Sequence, residues 1–401
     1  MTKIAILGFG VVGGGVAKLI TDNYGECVAL GGDEIEIKYI LDLRDFPDSP
    51  FADKVIHDYN IILNDPEIDF VIEVMGGSHP AYEFTVAALN AKKSVITSNK
   101  EVVANFGDEF MKIAEENGVC YRFEAAVGGG IPVLSPMITM LRQNKIGEVR
   151  GILNGTTNYI LTKMFSFGED FDSCLKDAQN KGYAESNPDA DILGIDASRK
   201  IAILGALISD KLIPTDKIHT EGITKIRSED VKCAESLGCT IKLVGRCIRG
   251  ENGTFIMVSP FMLPTDSPLS GVSGVYNAVE VIGEPIGSVM FYGQGAGAGA
   301  TASAVVGDLM QAMRSGVNIK MPVMEKSCEN LVDFSEFVTK SYIAVSGGDK
   351  EIIKSLFGDI SFIAGEELAF ITPKMSEAST DAAIDALGKA GITVKSRIRL
   401  L

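Results

Sequence analysis

Residues 182–200 place several carboxylates and a lysine in one short stretch of the chain. Its first part, GYAESNPDAD, predicts a loop, because its glycine, asparagine and proline disfavour a helix. The second part predicts a helix, on which Asp196 and Lys200 share one face because they are four residues apart. The acids could hold an amino group and a hydroxyl, and the lysine could give or take a proton. This suits a small zwitterionic substrate, although such a pair is also common on solvated helix surfaces.

The length, charge and cysteine content limit the class of protein. At 401 residues the chain is too long for one compact core, so we expect two or three domains. The net charge of −16 argues against nucleic acid or an anionic membrane as a partner. No signal-peptide pattern and no apolar run of about 18 residues occurs. Seven scattered cysteines indicate reduced thiols, so we expect a cytoplasmic protein acting on a small molecule.

The N-terminal residues carry a dinucleotide-binding pattern. An apolar strand at residues 3–7 is followed by GFGVVG and then by a helical run. This spacing predicts a tight turn at the first glycine, close approach of a pyrophosphate at the second and close helix packing at the third. The N–H groups at the start of the helix would bind the phosphates. The candidate cofactor ligands here are Gly8, Phe9, Gly10, Val11, Val12 and Gly13.

The end of the second predicted strand concerns the choice between NAD and NADP. Asp42 is placed to bond the ribose 2′-hydroxyl of NAD, whereas Arg44 is placed to meet the 2′-phosphate of NADP. The two indications conflict, and each residue could also be an ordinary surface charge. The pattern therefore predicts NADP or NAD without deciding between them.

Two further strand ends are typical of ligand contact. The strand at 69–75 ends at Gly76, and the strand at 94–97 leads into Ser98 and Lys100. Ligands of a doubly wound sheet lie beyond the carboxyl ends of its strands, so these three residues are candidate cofactor ligands. Lys100 could instead face the reacting carbon, and a surface lysine is the alternative.

Three later turns carry candidate contacts. The loop at 125–132 exposes several carbonyls around one acid, which a hard monovalent cation could use, although a simple turn is the alternative. Thr156 opens a helix where a substrate carboxylate could dock, or where the hydroxyl only caps the helix. The glycine-rich turn at 294–301 is not followed by a βαβ pattern. We expect it to close bare backbone over the nicotinamide side, through Gly297 and Gly299.

The order of predicted elements gives an α/β protein of three domains. A Rossmann domain with a doubly wound parallel sheet covers residues 1–133 and is completed by 290–318. An α+β substrate domain with an open sheet covers 134–289. Within 319–401 the predicted order is βαββαβ, the ferredoxin-like pattern of a small ACT-like domain. We expect this domain to pair with a second copy, giving a homodimer or homotetramer.

Taken together, these stretches resemble the homoserine dehydrogenase family over about residues 1–318. The resemblance rests on six motifs in the same order, namely GFGVVG, SNK at 98–100, EAAVGGGIP at 124–132, NGTTNYI at 154–160, the 182–200 stretch and FYGQGAGAGATASAV at 291–305. It implies an NAD(P)-dependent enzyme that interconverts L-aspartate 4-semialdehyde and L-homoserine, in the biosynthesis of threonine, methionine and isoleucine.

The resemblance also implies roles for individual residues. The substrate-binding residues would be Glu185, Asp191, Asp196, Gly155, Thr156 and Tyr183. Lys200 and Lys100 would flank the reacting carbonyl, where an ammonium group stabilises an alkoxide and supplies its proton. A sodium-type ion would be bound at Glu124, Val127, Gly129 and Ile131.

Two departures from the family pattern affect these expectations. Ala300 stands where the family commonly has proline, which bears on the nicotinamide-side turn. Residues 348–351, Gly-Asp-Lys-Glu, replace the Pro-Gly effector turn usual in ACT-type domains. We therefore expect the C-terminal domain to serve assembly more than amino-acid feedback.

Three other classes stay open on the sequence. An aspartate-semialdehyde dehydrogenase would need a nucleophilic cysteine at a glycine-rich helix start, and no cysteine of this sequence stands there. Sugar oxidoreductases place their lysine in Glu-Lys-Pro, whereas residues 99–101 here are Asn-Lys-Glu. A non-catalytic NAD(P)-sensing protein would keep the glycine turns and bind the cofactor without turnover.

Overall fold

The computed structural model describes residues 1–315, 322, 324–365 and 367–401. The strands are β1 Thr2–Leu7, β2 Ile35–Leu41, β3 Val55–Ile56, β4 Phe70–Glu73, β5 Ser94–Thr97, β6 Tyr121–Arg122, β7 Lys145–Ile152, β8 Lys211–Leu212, β9 His219–Thr220, β10 Cys239–Gly250, β11 Gly253–Pro264, β12 Tyr276–Glu284, β13 Gly287–Gln294, β14 Glu325–Lys326, β15 Val338–Thr339, β16 Ser341–Ser346, β17 Phe362–Ile363, β18 Leu368–Ile371, β19 Met375–Ser376 and β20 Thr393–Leu400. The α-helices are α1 Val11–Asp22, α2 Tyr24–Gly31, α3 Tyr59–Asn64, α4 Ala81–Asn90, α5 Lys100–Asn117, α6 Leu134–Pro136, α7 Gly155–Phe167, α8 Phe171–Asn180, α9 Asp189–Ile192, α10 Ile195–Ser209, α11 Ser228–Ser236, α12 Ala298–Ser315, α13 Lys350–Phe357 and α14 Glu377–Lys389.

The chain forms two compact units, each assembled from separate segments. The first unit consists of Met1–Ile146, Ala202–Thr215 and Phe291–Cys328. The second unit consists of Gly147–Ile201, Asp216–Met290 and Glu329–Leu401. Within the residues described, the helices are all too short or too polar to cross a membrane.

The first unit is built on a parallel six-stranded sheet. The strand order is β3-β2-β1-β4-β5-β6, and every neighbouring pair is parallel. This is the Rossmann order, in which the sequence of strands reverses between β1 and β4. The predicted N-terminal Rossmann sheet is confirmed.

The core of the first unit lies where β1, α1 and α12 meet. Its fully or almost fully buried members include Ile4, Ile6, Val16, Ile20, Val305 and Leu309. The apolar face of α1 repeats at helical spacing, so one side of the helix covers the sheet. Because α12 comes from residues 298–315, the first unit completes its core only with a segment far along the chain.

The second unit contains most of a ten-stranded mixed sheet. The order is β13-β12-β7-β10-β11-β20-β16-β18-β17, and β9 pairs with β11. The long hairpin of β10 and β11 runs antiparallel in unbroken register from Cys239 opposite Pro264 to Gly250 opposite Gly253. The predicted open sheet of the substrate region is therefore present.

The C-terminal segment follows the predicted βαββαβ order with β16, α13, β17, β18, α14 and β20. The sheet order β20-β16-β18-β17 is that of a ferredoxin-like fold. Ile343, Phe357, Phe370 and Leu387 form its own buried core. Its last strand also runs parallel to β11, with Arg399 opposite Phe261. The small C-terminal sheet is thus continuous with the sheet of the substrate region.

Candidate active site

The glycine-rich turn between β1 and α1 is shaped by close backbone packing. A Cβ atom on Gly13 would lie 2.0 Å from the carbonyl oxygen of Gly8, so only glycine fits there without rearrangement. A Cβ on Gly10 would meet nothing within 4 Å, and Val11 is largely exposed at the start of α1. The turn therefore leaves open space in front of a helix N-terminus, which fits a pyrophosphate.

Asp42 connects the end of β2 to this turn. Its carboxylate accepts the Phe9 N–H at 2.8 Å and the Nε–H of Arg44 at 3.0 Å. The hydrogen bond from Arg44 is the largest influence on Asp42 and lowers its pKa to about 2, although burial opposes this. Asp42 is therefore ionised at neutral pH and positions the turn, while 64% of the Arg44 side chain stays exposed.

His57 was missed by the sequence reasoning. Its Nδ1 lies 2.7 Å from the carbonyl oxygen of Asp42, and its Nε2 lies 3.1 Å from Asp45 Oδ1. The bond to the Asp42 carbonyl is the main cause of a raised His57 pKa. No local sequence pattern relates residue 57 to residue 42, so the contact between them is visible only in the folded structure.

A buried carboxyl organises the strand ends beside Gly76, Ser98 and Lys100. Glu73 is fully buried at the end of β4. Its carboxylate accepts the Thr97 hydroxyl at 2.6 Å and the Met75 N–H at 2.8 Å. Burial raises the pKa of Glu73 to about 7, although these hydrogen bonds oppose the shift.

The same set of bonds fixes the start of α5. The Asn99 N–H donates to the Thr97 hydroxyl at 2.9 Å, and the Asn99 side chain donates to the Gly77 carbonyl at 2.7 Å. The Asn99 side chain also caps α5 by accepting the Glu101 N–H. Lys100 is the first residue of that helix. Ser98 and Lys100 therefore stand on a rigid turn of the first unit.

The loop predicted to hold a cation packs on the second glycine-rich turn. The Gly130 N–H donates to the Gln294 carbonyl at 3.2 Å. The Glu124 carboxylate accepts three backbone N–H groups, from Val133, Leu134 and Ser135, at 2.6–2.8 Å. That carboxylate is thus committed to the start of α6. Gly297 and Gly299 lie on the open side of the second turn, with nothing within 4 Å of an added Cβ.

In the second unit, Lys200 and Asp196 form a buried ion pair. Lys200 Nζ lies 2.7 Å from Asp196 Oδ2 and donates to the Leu153 carbonyl oxygen at 2.7 Å. Lys200 is 7% exposed and Asp196 is 4% exposed. This is not the solvated surface pair that four-residue spacing alone allows. Charges withdrawn from water in this way need specific partners, and both groups have them.

Asn154 joins the pair to a second acid, Asp191. Its side-chain amide donates to Asp191 Oδ1 at 2.6 Å and to Asp196 Oδ2 at 2.9 Å. The carbonyl oxygen of the same side chain accepts the Thr157 N–H and so caps α7. Asn154 was not among the predicted site residues. An asparagine before a predicted helix signals a cap, but its bonds to acids from another loop carry no sequence signal.

The remaining predicted substrate residues lie around this cluster with different exposure. The Thr156 hydroxyl donates to the Tyr183 carbonyl at 2.6 Å and so links the start of α7 to the segment of residues 182–191. The Tyr183 ring stays 44% exposed and contacts Tyr159 edge-on. Glu185 is exposed. The structure thus brings Asp196 and Lys200 into direct contact, joins Asp191 to Asp196 through the Asn154 amide and leaves Glu185 on the surface.

A parallel sheet of Rossmann order with an open glycine-rich turn is typical of a dinucleotide-binding protein. Two family models match the chain. The model described as "Homoserine dehydrogenase, NAD binding domain" matches residues 8–124, and the model described as "Homoserine dehydrogenase" matches residues 132–310. The chain belongs to the homoserine dehydrogenase family.

Relatives and solved structures agree with the family models. A homoserine dehydrogenase of Synechocystis sp. is 42% identical over 77% of this chain and 72% of its own length. The crystal structure of a homoserine dehydrogenase from Thiobacillus denitrificans superposes with a TM-score of 0.92 at 33% identity, covering 100% of this chain and 98% of that one. A hyperthermophilic archaeal homoserine dehydrogenase mutant in complex with NADPH covers 78% of this chain and 97% of its own, with TM-score 0.67 and 28% identity.

Proposed function

We propose that the protein interconverts L-homoserine and L-aspartate 4-semialdehyde with NAD(P), in the biosynthesis of threonine, methionine and isoleucine. The observation that carries the proposal is the buried Lys200–Asp196 pair joined through Asn154 to Asp191. An ammonium group beside two carboxylates offers partners for both the amino group and the reacting oxygen of this substrate.

The cofactor would be held by the first unit. The N–H groups at the start of α1 and the open side of Gly10 fit the pyrophosphate. Asp42 keeps the turn in shape through the Phe9 N–H. When bound, the dinucleotide supplies or accepts the hydride.

Lys200 is assigned as the acid and base on the substrate oxygen. Asp196, 2.7 Å away, accepts a hydrogen bond from the lysine amine. The Leu153 carbonyl holds the amine in place from a second direction. In semialdehyde reduction the ammonium stabilises the growing alkoxide and gives it a proton, and in homoserine oxidation the amine takes the proton back. We also propose Lys100, the first residue of α5, as a catalytic residue.

The substrate amino group is assigned to the acids, and its carboxylate to the start of α7. The side-chain amide of Asn154 holds Asp191 and Asp196 at fixed positions, so both carboxylates can bind the same amino group. Glu185, which is exposed, is assigned to the same amino group. Gly155 and Thr156 begin a helix of 13 residues, whose N-terminal N–H groups favour an anion.

The enzyme would use both NAD and NADP. Arg44 is mostly exposed and can turn from Asp42 toward a 2′-phosphate. Asp42 would keep its bond to the Phe9 N–H and remain near the ribose. The archaeal relative in complex with NADPH supports at least one cofactor of this type.

A monovalent cation would bind the loop of Glu124, Val127, Gly129 and Ile131. Main-chain carbonyl oxygens near one carboxylate suit a hard, weakly held ion such as sodium. The Glu124 carboxylate already accepts three N–H groups, so the carbonyl oxygens would supply most of the ligands. Within the described residues no group of three or more His, Cys, Asp and Glu side chains could hold a metal ion.

A homodimer or homotetramer is proposed as the working form. The short strand β17 ends the sheet in the C-terminal segment, and such an edge can pair with a second copy. Light scattering on the purified protein would measure the mass.

Reduction of NAD⁺ and NADP⁺ by homoserine, followed by absorbance, tests the proposed reaction. Turnover with at least one cofactor is expected. Cofactor binding without turnover would instead indicate a sensing protein. Loss of activity on stoichiometric thiol alkylation, with substrate protecting one cysteine, would point to thioester chemistry and to an aspartate-semialdehyde dehydrogenase.

A further inference from the structure

Residues 219–223, which we call the bracing loop, support the turn before α10. The Ile223 N–H donates to the Ile192 carbonyl oxygen at 2.8 Å. A Cβ atom on Gly222 would lie 2.1 Å from the same oxygen and 2.5 Å from Leu193 Cα. At Gly222 the bracing loop and the turn therefore meet backbone to backbone.

This turn leads into Asp191, Asp196 and Lys200, which we call the acid–lysine cluster. Asp191 directly precedes Ile192, and α10 begins at Ile195 with Asp196 in its first turn. Lys200 follows one helical turn later. A shift of the bracing loop would thus move Asp191 and the start of α10 together, because packed backbone transmits displacement rather than damping it.

Three donors fix the side chain of Glu221, and two of them, Ser259 and Arg399, lie outside the bracing loop. Its carboxylate lies 2.6 Å from His219 Nε2, accepts the Ser259 hydroxyl at 3.0 Å and accepts an N–H of Arg399 at 2.8 Å. Burial opposes the charge on Glu221, but hydrogen bonds from His219 and Arg399 hold its pKa well below the usual value. Glu221 is therefore an anion fixed in place.

Arg399 comes from the far end of the chain and is itself rigid. It is 3% exposed on β20. Its Nε and Nη2 donate to the two carboxylate oxygens of Glu377 at 2.9 and 2.8 Å. Its remaining nitrogen, Nη1, reaches Glu221 and the Ser259 hydroxyl, both at 2.8 Å. The guanidinium also lies over the Phe334 ring at 5.1 Å.

We propose that Arg399 is a positioning residue for the substrate site, acting through Glu221 and the bracing loop on the turn that begins α10. The C-terminal segment then takes part in binding homoserine without touching it. The proposal rests on the proposed function, because the affected property is the affinity for that substrate.

Steady-state kinetics of Arg399→Met and Glu221→Gln test this role. Both variants should raise the KM for homoserine about 2- to 30-fold, the range of coupling through packed networks. The KM for NAD(P) should stay within about twofold. A general loss of structure would instead raise the KM for homoserine and the KM for NAD(P) together. Arg399→Lys keeps the charge and one donor toward Glu221, and it should recover part of the homoserine affinity.

Arg397→Met is the matched control. Arg397 lies two residues earlier on the same strand and pairs with Glu377 at 2.8 Å and Asp381 at 2.6 Å, instead of with Glu221. It should lower the melting temperature as Arg399→Met does but leave the KM for homoserine unchanged.

Two results would overturn the proposal. One is an unchanged homoserine KM in Glu221→Gln, which decides the matter even if Arg399→Met fails to fold. The other is a rise in the homoserine KM of Arg397→Met equal to that of Arg399→Met. Absence of homoserine turnover in the unchanged protein would instead remove the proposed function, so the two failures are distinguishable.

Discussion

The glycine-rich turn of the first unit and the acid–lysine cluster of the second unit are built in opposite ways. The turn works by removing side chains, because the Gly13 Cα must approach the Gly8 carbonyl and the space before Gly10 must stay open. The cluster works by packing side chains together, with Asn154 and Lys200 both donating to one oxygen of Asp196. Backbone N–H groups suit the binding of a phosphate-containing cofactor. Charged side chains can bind a substrate and can also transfer a proton to it.

The difference predicts how each region fails. A side-chain cluster can lose its chemistry through one substitution and still fold. A backbone turn has no single group to delete, so it is damaged by adding atoms. The following substitutions test this contrast, from the largest expected effect to the smallest.

Lys200→Ala should reduce kcat by about 10²–10⁴-fold, since positioned proton transfer is lost. Cofactor binding should stay near normal, because Lys200 belongs to the second unit. Stopped-flow or steady-state absorbance gives kcat, and fluorescence titration gives the cofactor Kd. Lys163→Ala, which removes an ion pair with Asp177 elsewhere in that unit, is the control and should keep kcat. A near-normal kcat in Lys200→Ala would remove Lys200 from the mechanism.

Gly13→Ala should weaken cofactor binding roughly 100-fold and destabilise the protein by about 3 kcal/mol, because its Cβ must displace the Gly8 carbonyl. The matched control is Gly14→Ala, whose Cβ would meet nothing within 4 Å. That change should be neutral or slightly stabilising, since alanine favours a helix. Calorimetric titration measures the cofactor affinity of both variants, and thermal unfolding measures their stability. Equal behaviour of the two variants would show that packing at the turn does not limit binding.

Asn154→Ser should raise the homoserine KM roughly tenfold through loss of one amide that serves two carboxylates. Serine still caps α7, so the melting temperature should change little. Asp170→Ser replaces the cap of α8 in the same way and should leave the KM unchanged. A KM effect that only follows the melting temperature would mean that Asn154 serves the helix alone.

Arg44→Ala should weaken the binding of NADP by up to about fivefold and leave the binding of NAD almost unchanged, because an exposed ion pair contributes little in water. The KM values for the two cofactors, measured with saturating homoserine, give the comparison. An enzyme that uses only NAD before substitution would show that Asp42 alone sets the choice.

Much of the fold could be predicted because local patterns report it directly. Strand β1 and the GFGVVG turn follow in sequence, and the βαββαβ order could be read from alternating apolar runs. The pairing of β20 with β11 could not be predicted, because only two residue pairs join strands from distant parts of the chain. No periodicity encodes such a contact. The expected domain boundaries stay a prediction.

The candidate site likewise contains features that the sequence predicts and features that only the fold shows. Asp196 and Lys200 could be placed on one helix face from spacing alone, but spacing could not show that they are buried. Glu221 and Asn154 make contacts between segments far apart in sequence, and the roles proposed for them rest on those contacts. Each has an ordinary local environment in the sequence, so its role is visible only after folding.

The position of α12 in the core of the first unit has a consequence for folding kinetics. Val305 and Leu309 pack in the same cluster as Ile4 and Ile6 of β1. Everything from Gly147 to Ile201 and from Asp216 to Met290 belongs to the other unit and lies between these partners along the chain. Loop closure over such a distance is slow, because its entropic cost precedes any gain from contact. The first unit should therefore acquire its sheet early and its last helix late, leaving an apolar surface open to water in the meantime.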